Sequence, residues 1–234
     1  MKRLTTLFTI LAWLCSLSAW ADGWQPLPGD TVPEAVVAQM GDEALFRVEP
    51  LGDDVLARMR GLSMPDGCTV SADQLRYLHA LHRTADGTIL AGEMVVSSAI
   101  ADDVREILLE LFRARYPIER MRLIDDYGAD DEASMNANNT SAFCYRRVAG
   151  TRTLSRHALG MAVDINPLYN PCCRQRPDGT MVVQPEAGRP YADRTVVTPY
   201  RLVRGDLCHR LFLQRGFRWG GAWRTTKDYQ HFEK

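Results

Sequence analysis

The ten residues from Ser155 to Asp164 constrain the fold more than any other part of the chain. They place the imidazole of His157 seven residues before the carboxylate of Asp164, with Gly160 between them. After this glycine, apolar residues alternate with Ala162 and Asp164, and a period of two predicts a short β-strand. Gly160 can adopt a backbone conformation that folds His157 back toward that strand. The stretch therefore predicts a turn and a strand that bring an imidazole and a carboxylate together.

A second imidazole and a second carboxylate lie near the C-terminus, where Asp228 precedes His231 by three residues. A catalytic zinc site has three protein ligands and an open fourth position. His157, Asp164 and His231 supply such a ligand set. Asp228 is then left over as a carrier of protons. The two segments together predict a Zn²⁺ site with a carboxylate base beside it.

These two segments resemble the zinc peptidases of bacterial cell walls. This family comprises D-alanyl-D-alanine carboxypeptidases, dipeptidases of the vancomycin-resistance type and L-alanyl-D-glutamate endopeptidases. Its members share Ser-x-His-x-x-Gly-x-Ala-x-Asp, followed far downstream by Glu or Asp-x-x-His. Residues 155–164 match the first element without a departure, and residues 228–231 match the second. The resemblance continues upstream through residues 138–146 and covers roughly the C-terminal two-thirds of the chain.

The resemblance implies a role for each residue of the two segments. His157, Asp164 and His231 are the expected zinc ligands. Asp228 is the expected general base, which takes a proton from the attacking water and returns it to the leaving amine. The metal makes this possible near neutral pH because it lowers the pKa of water to about 7.

Two further residues receive roles from the resemblance. Arg146 is expected to steady the developing oxyanion or to hold substrate, because peptide hydrolysis needs a positive donor opposite the metal. Ser155 is expected to hydrogen-bond the substrate or to orient the site. A serine nucleophile is not expected there, since no Gly-x-Ser-x-Gly elbow accompanies it. Glu233 is a weaker candidate base, and its position favours a charge on the C-terminal surface.

Other histidines and acidic residues do not fit the motif. Three histidines have no acidic partner at the motif spacing and are interpreted as structural: His79, His82 and His209. The acidic stretch over residues 125–132 offers carboxylates for calcium but lacks the Gly-spaced, alternating ligands of a calcium loop. A solvated loop is the favoured interpretation.

The N-terminus has the layout of a secretory signal peptide. Lys2 and Arg3 precede an apolar stretch over residues 7–14, and Ala-Trp-Ala at residues 19–21 ends at a cleavage site. The apolar stretch is short for a membrane span, which favours a cleaved leader over an anchor. We therefore expect an exported protein, periplasmic or extracellular, with no membrane span after cleavage.

Composition narrows the classes of partner. The formal net charge is −1, and loss of Lys2 and Arg3 with the leader makes it −3. The sequence contains no basic patch of the kind that would predict binding to nucleic acid or to an anionic membrane surface. The partner that the resemblance implies is a peptidoglycan stem peptide. The sequence does not determine the oligomeric state.

Export also bears on the cysteines, because disulfides form in oxidising compartments. Five cysteines follow the leader: Cys68, Cys144, Cys172, Cys173 and Cys208. This odd number allows at most two disulfides within the chain and leaves one thiol. A cysteine-ligated zinc is the rival interpretation, but the chain has no Cys-x-x-Cys pair. We expect disulfides whose pairing the sequence does not assign.

Hydrophobic periodicity predicts an α+β fold. A small, mainly antiparallel sheet is expected, with helices packed on one face and the zinc site on the other. Residues 75–82 also fit a helix, but the Asp86-Gly87 turn favours a β-hairpin. The other predicted elements are helices at 34–40, 53–59, 100–116 and 200–214, strands at 121–124 and 216–221, and a long loop at 174–194. Three regions are predicted: a signal peptide at 1–21, an N-terminal arm and hairpin at 22–88, and a zinc peptidase core at 89–234.

The leading functional hypothesis is a zinc metallopeptidase that hydrolyses peptidoglycan stem peptides. Within the resembled family, Asp at position 228 suggests an L-alanyl-D-glutamate endopeptidase, with a D-alanyl-D-alanine carboxypeptidase as the alternative. Two non-catalytic alternatives remain. One is a zinc-stabilised binding domain, as in the hedgehog signalling domain that resembles this fold, and the other is a disulfide-stapled interaction domain without metal. Asp228 favours an enzyme, because a binding module needs no base beside its metal.

Overall fold

The computed structural model describes residues 25–148 and 151–234, so the predicted signal peptide lies outside the described residues. In this part of the chain no helix is long and apolar enough to cross a membrane. The α+β class is confirmed. In chain order the elements are α1 (Glu34–Met40), β1 (Arg47–Glu49), α2 (Asp53–Met59), β2 (Leu75–Arg83), β3 (Ile89–Ser97), α3 (Ala101–Arg113), β4 (Arg120–Met121), α4 (Asp131–Asn136), β5 (Asn139–Thr140), β6 (Ala162–Asp164), β7 (Cys172–Gln175), β8 (Met181–Gln184), α5 (Leu207–Gln214), β9 (Arg218–Trp219), β10 (Thr226–Asp228) and β11 (His231–Glu233).

The strands form four small sheets instead of the single sheet expected from the sequence. Three are antiparallel, with strand orders β1-β2-β3, β10-β7-β8 and β6-β11-β9, and the fourth pairs β4 with β5 in parallel. The predicted hairpin is confirmed: β2 pairs with β3 from Leu75 opposite Ser97 to Arg83 opposite Ile89. This hairpin spans the predicted boundary at residue 88, and the division into regions stays a prediction.

Apolar side chains cover both faces of the β2–β3 hairpin. One face contributes Leu78 and Met94 to the main core, where α3 buries side chains at helical spacing. The other face places Tyr77 and Val95 in a second core with α2. Both faces of the hairpin are therefore buried. This explains why its strands lack a clean polar and apolar alternation.

Helices α1 and α2 have the predicted bounds, whereas two longer predictions are corrected. α3 ends at Arg113 rather than at 116, because Arg115 adopts a left-handed φ of +56°. Of the helix predicted over residues 200–214, only residues 207–214 are α-helical, and they form α5. Its N-cap is Asp206, whose side chain accepts a hydrogen bond from the His209 backbone N–H at 2.8 Å.

The predictions of a loop at 174–194 and a strand at 121–124 are also wrong. Residues 172–184 form a hairpin of β7 and β8, followed by a 3₁₀ segment at 186–192. Its turn contains Asp178-Gly179, a dipeptide that favours hairpins and whose signal the surrounding prolines and glycines obscured. β4 ends at Met121, and a 3₁₀ turn follows at Ile124–Tyr127.

All five described cysteines are free, so the expected disulfides are not formed in residues 25–148 and 151–234. The thiols lie in separate environments. Cys208 is fully buried in the main core, and the Cys68 Sγ faces the Val70 carbonyl oxygen at 3.5 Å. Cys172 and Cys173 are neighbours on β7, where successive side chains point to opposite faces.

A buried ion pair holds α2 against the hairpin. Glu93 on β3 has a fully buried carboxylate that receives two hydrogen bonds from Arg58, at 2.8 and 2.6 Å. The Tyr77 hydroxyl donates to the same carboxylate at 2.7 Å, and the Arg122 guanidinium lies 3.6 Å away. These partners compensate for the removal of the Glu93 carboxylate from water.

Replacing Arg58 with methionine should lower the free energy of unfolding by roughly 3 kcal/mol, because it leaves the Glu93 carboxylate with only part of its compensation. This loss of stability lies at the lower end of the range for breaking a buried ion pair, because water reaches Arg58 and Arg122 remains near Glu93. Chemical denaturation of the variant measures the loss. Arg113→Met, which removes an exposed ion pair with Asp42, is the control and should cost far less. Equal losses in the two variants would contradict a buried ion pair.

Candidate active site

Three predicted ligands converge in the structure. Suitable ligand atoms of His157, Asp164 and His231 all lie within 4.8 Å of one another. His157 begins a 3₁₀ turn at His157–Leu159, Asp164 ends β6, and His231 begins β11. β6 and β11 are antiparallel, and their register places Asp164 directly opposite His231. Backbone pairing therefore brings together two residues that are 67 positions apart in the chain.

Gly160 sets the direction of the turn that carries His157. Its φ is +65°, in the left-handed region that favours glycine. A Cβ at this position would lie 2.5 Å from the backbone nitrogen of Ser97. That nitrogen donates a hydrogen bond to the Gly160 carbonyl oxygen at 2.8 Å. The turn is thereby held against β3, and the role predicted for Gly160 agrees with this geometry.

The tautomer of His157 follows from its hydrogen bonds. Its Nδ1 lies 2.6 Å from the Ala142 carbonyl oxygen, which can only accept, so Nδ1 carries the proton. Nε2 then offers a lone pair to the ligand cluster. It lies 3.1 Å from Nδ1 of His231 and 3.2 Å from Oδ2 of Asp164. The Ala142 carbonyl thus acts as the outer partner that orients a metal-binding imidazole.

His231 stands between two carboxylates. Its Nδ1 lies 3.0 Å from Oδ1 of Asp164, and its Nε2 lies 3.4 Å from Oε2 of Glu233. Burial disfavours the charged imidazolium, but hydrogen bonds to Asp164 and Glu233 outweigh it and raise the pKa of His231 to about 10. Burial likewise disfavours a charged Asp164. His157 and His231 outweigh burial there and hold the pKa of that carboxyl well below its usual range.

These contacts fit a divalent metal ion. The cluster presents Nε2 of His157, Nδ1 of His231 and a carboxylate oxygen of Asp164 to one point. Two imidazole nitrogens and one carboxylate oxygen form a donor set typical of catalytic zinc. A zinc ion would be held by these three residues and would supply Lewis acidity.

Asp228 lies at the end of β10, three residues before His231. The Trp219 indole N–H donates to the carbonyl oxygen of Tyr229 within this short connection at 2.9 Å. Among the described residues, Oδ1 of Asp228 is buried without a hydrogen-bond partner. Burial raises the pKa of Asp228 to about 6, with the charge of Asp164 adding to the rise and the His231 imidazolium opposing it. A carboxyl group that titrates near neutral pH is suited to accept a proton and return it.

Gly220 allows the chain to pass close to this base. A Cβ on Gly220 would lie 2.7 Å from the carbonyl oxygen of Asp228 and 2.8 Å from its Cβ. It would also approach the Cβ of His231 at 3.3 Å. Any larger residue at position 220 must therefore displace either Asp228 or His231.

Arg146 lies beside the ligands, but its charge is already paired. Its Nη2 lies 2.6 Å from Oδ2 of Asp131. Burial opposes its charge, yet Asp131 and Asp164 outweigh this effect and raise the pKa of Arg146. The carboxylate partner, at the start of α4, belongs to the acidic stretch that the sequence assigned to a solvated loop. That assignment is therefore wrong for Asp131. It is wrong also for Asp125, which accepts two hydrogen bonds from Ser63.

All six predicted site residues line one cavity of about 650 Å³. They are Arg146, Ser155, His157, Asp164, Asp228 and His231. His79, His82 and His209 lie outside this cavity, as their structural interpretation requires. His82, for example, is buried with its Nδ1 donating to the carbonyl oxygen of Ile118 at 2.8 Å.

Several cavity residues were missed or misjudged from the sequence. Glu233 is not a surface charge: its side chain is 14% exposed and contacts both His231 and Arg218. The alternation of β11 contains the missed signal, because Glu233 is two residues after His231 and shares its face. The ring of Trp223 lies 5.4 Å from that of His231, and Cys172 is the cross-strand partner of Asp228. Neither contact has a local sequence signal.

Metal binding should release a proton and should therefore strengthen as pH rises. Below pH 10 the metal-free His231 is protonated, so the metal competes with one proton. The apparent dissociation constant should fall about tenfold per pH unit between pH 6.5 and 8.5. Calorimetric zinc titration in buffers of different ionisation enthalpy counts the released protons. His79→Gln should behave as the wild type, whereas a pH-independent affinity would contradict the arrangement described for His231.

Comparison with known proteins supports the family suggested by the motif. Residues 149–234 match the family model described as D-alanyl-D-alanine carboxypeptidase. The matched region contains Ser155, His157, Asp164, Asp228 and His231, and Arg146 precedes it. No curated protein and no solved structure matches the chain significantly. The match over residues 149–234 therefore supports the resemblance to the D-alanyl-D-alanine carboxypeptidase family, whose members are zinc metallopeptidases that hydrolyse peptide bonds.

Proposed function

We propose that this protein is an exported zinc peptidase that hydrolyses an amide bond in the stem peptides of peptidoglycan. The observation that carries the proposal is the convergence of two imidazoles and one carboxylate beside a second, buried carboxylate. A metal held only for stability needs the first three groups and has no use for Asp228. The family match gives the class of substrate.

In this proposal His157, Asp164 and His231 hold the metal and Asp228 moves the proton. Zinc, when bound, polarises the scissile carbonyl and acidifies the attacking water. The Asp228 carboxylate accepts the proton of that water and returns it to the nitrogen of the leaving amine. Oδ1 of Asp228 is available for this task because it has no hydrogen-bond partner among the described residues.

Arg146 donates hydrogen bonds to the oxygen that gains negative charge in the transition state. Asp131 supports this role, because its ion pair fixes the guanidinium at the cavity wall before substrate binds. Nε of Arg146 is buried without a partner among the described residues, so a donor remains beyond the ion pair. Ser155, also at the cavity wall, orients the His157 turn: its Oγ accepts from the backbone N–H of His157 at 3.2 Å.

Export is part of the proposal because the substrate lies outside the cytoplasm. The segment at 1–21, with its two basic residues and apolar stretch, would direct secretion to the periplasm or beyond. The five cysteines are free in the described structure, and the fold depends on buried apolar and ionic contacts there.

Two stem bonds are candidates for cleavage. Asp at position 228 supports an L-alanyl-D-glutamate endopeptidase, since that branch of the family carries Asp where D,D-acting members carry Glu. The β7–β8 hairpin supports it as well, because it forms a wall of the cavity along which an extended stem could lie. The description of the matched family favours the second candidate, a D-alanyl-D-alanine carboxypeptidase.

Asp228→Asn should retain zinc and lose at least about 100-fold in turnover, because the amide cannot carry the proton. His231→Ala should lose both zinc and activity, since it removes a ligand. Elemental analysis and peptide hydrolysis measure the two effects separately. Asp66→Asn, an exposed acid away from the cavity, is the matched control. Loss of zinc from Asp228→Asn would make Asp228 a ligand and contradict its assignment as the base.

Mass spectrometry of digested stem peptides decides which bond is cut. An endopeptidase should release L-alanine-ended fragments and expose new D-glutamate amino termini. A carboxypeptidase should remove only a terminal D-alanine and leave the L-alanyl-D-glutamate bond intact. The second result would refute the endopeptidase and retain the zinc peptidase, whereas an intact stem would contradict both.

A further inference from the structure

One face of the β10-β7-β8 sheet forms part of the cavity wall. Strand residues that line the cavity alternate with residues that do not, as expected for a sheet with one face toward the cavity. Each strand contributes two residues: Thr226 and Asp228 from β10, Cys172 and Arg174 from β7, and Val182 and Gln184 from β8.

The strand register arranges these side chains in two parallel rows. The first row contains Asp228, Cys172 and Gln184, which are direct cross-strand partners. The second row contains Thr226, Arg174 and Val182. The rows are two residues apart along each strand, a separation of about 7 Å. The base therefore lies in one row, and an arginine lies in the row beside it.

Three arginines line the cavity, and they differ in pairing or in position. Arg146 is paired with Asp131. Arg156 also forms no ion pair in the described residues, but it lies outside the two rows, and its charge acts on Glu233, whose pKa is lowered first by the hydrogen bond to His231. The Arg174 guanidinium forms no ion pair within residues 25–148 and 151–234, where other arginines of the chain find partners. It remains available for an anion in the cavity.

The charge of the cavity suits an anionic ligand once the metal is present. The cavity is lined by three guanidinium groups and by four carboxylates, which belong to Asp131, Asp164, Asp228 and Glu233. A divalent ion reverses this small negative excess. Negatively charged substrate groups are then attracted to the loaded site.

We propose that Arg174 binds the α-carboxylate of the residue on the leaving side of the scissile amide, an inference that rests on the peptidase function proposed above. Asp228 must meet the nitrogen of the leaving amine to protonate it. The α-carboxylate is attached to the carbon next to that nitrogen, so it lies close to the first row. The long side chain of Arg174 spans the distance from the second row and offers a fork of donors matched to a carboxylate.

This subsite serves either candidate bond. In a D-alanyl-D-alanine terminus, the leaving residue ends in a free α-carboxylate. D-glutamate continues the stem through its γ-carboxyl group, so its α-carboxylate also stays free when its amine is the leaving group. Arg174 therefore determines recognition of an anionic leaving residue, and other contacts select between the two bonds.

The experiment compares two matched pairs of peptides with the zinc-loaded protein. In each pair the leaving residue, D-alanine or γ-linked D-glutamate, carries either a free α-carboxylate or a carboxamide. The wild type should prefer the free acid in kcat/KM by about 10- to 100-fold, the range expected for a charge-assisted pair. Arg174→Gln should reduce this preference to about one while zinc content and melting temperature stay unchanged. Arg174→Lys should recover part of it.

Two matched variants separate this subsite from general charge effects. Arg176→Gln removes a cation two residues further along the same chain segment, outside the cavity, and should keep the acid preference. Arg156→Gln should also keep it, since the inference assigns the carboxylate to Arg174 alone. Arg174→Gln with an unchanged preference, or Arg156→Gln with a lost one, would overturn the inference and leave the peptidase intact. A wild type that cuts none of the four peptides would instead refute the proposed function and this subsite with it.

Discussion

The cross-strand pair of Asp164 and His231 is the contact on which the rest of the site depends. One carboxylate lies between two imidazoles, so removing any of the three leaves buried charge or buried lone pairs without a partner. The strands that bring them together are short and could not hold them alone. Their other faces carry Val163 and Phe232, both fully buried in the main core. The charged cluster is thus held in place by apolar packing on the reverse side of the same two strands.

Asp228 is likewise positioned by strand pairing, but in a second sheet. β10 ends at Asp228 and β11 begins at His231, so only two residues separate the carboxylate from the ligand. β10 pairs with β7, and β11 pairs with β6 and β9. Asp228 and His231 therefore belong to different sheets but share one short connection. Gly220, which packs against both residues, keeps that connection close to the chain beneath it.

Sequence patterns predicted those features that depend on neighbouring residues. The period of two after Gly160 gave the strand of Asp164, and the Asp86-Gly87 turn between apolar runs gave the main hairpin. The spacing of apolar residues after residue 100 gave α3, with an error only where Arg115 ends the helix. The side chains that converge at the site could be named in advance because their motif is local in each half of the chain, and their roles as ligands and base stay predictions.

Features that depend on distant residues were not predicted. Arg146 forms an ion pair with Asp131. From the sequence, Arg146 only precedes the motif, and Asp131 was assigned to a solvated loop, so nothing local indicated that the two residues meet. Glu233 lies beside the site because of the direction of β11, and the β7–β8 hairpin was hidden by the prolines and glycines that flank it. The cysteines illustrate the same limit, because their number and the expected export suggest disulfides, whereas all five are free in the described residues.

The distance in sequence between Asp164 and His231 has a consequence for when the protein becomes active. Their pairing closes a segment of 67 residues, and such contacts form only after much of the chain has folded. Neither half of the motif alone provides the three ligands. A chain that is unfolded or partly folded therefore carries no hydrolytic centre. Synthesis of the polypeptide can proceed without an active peptidase, and activity begins only when the final tertiary pairing is made.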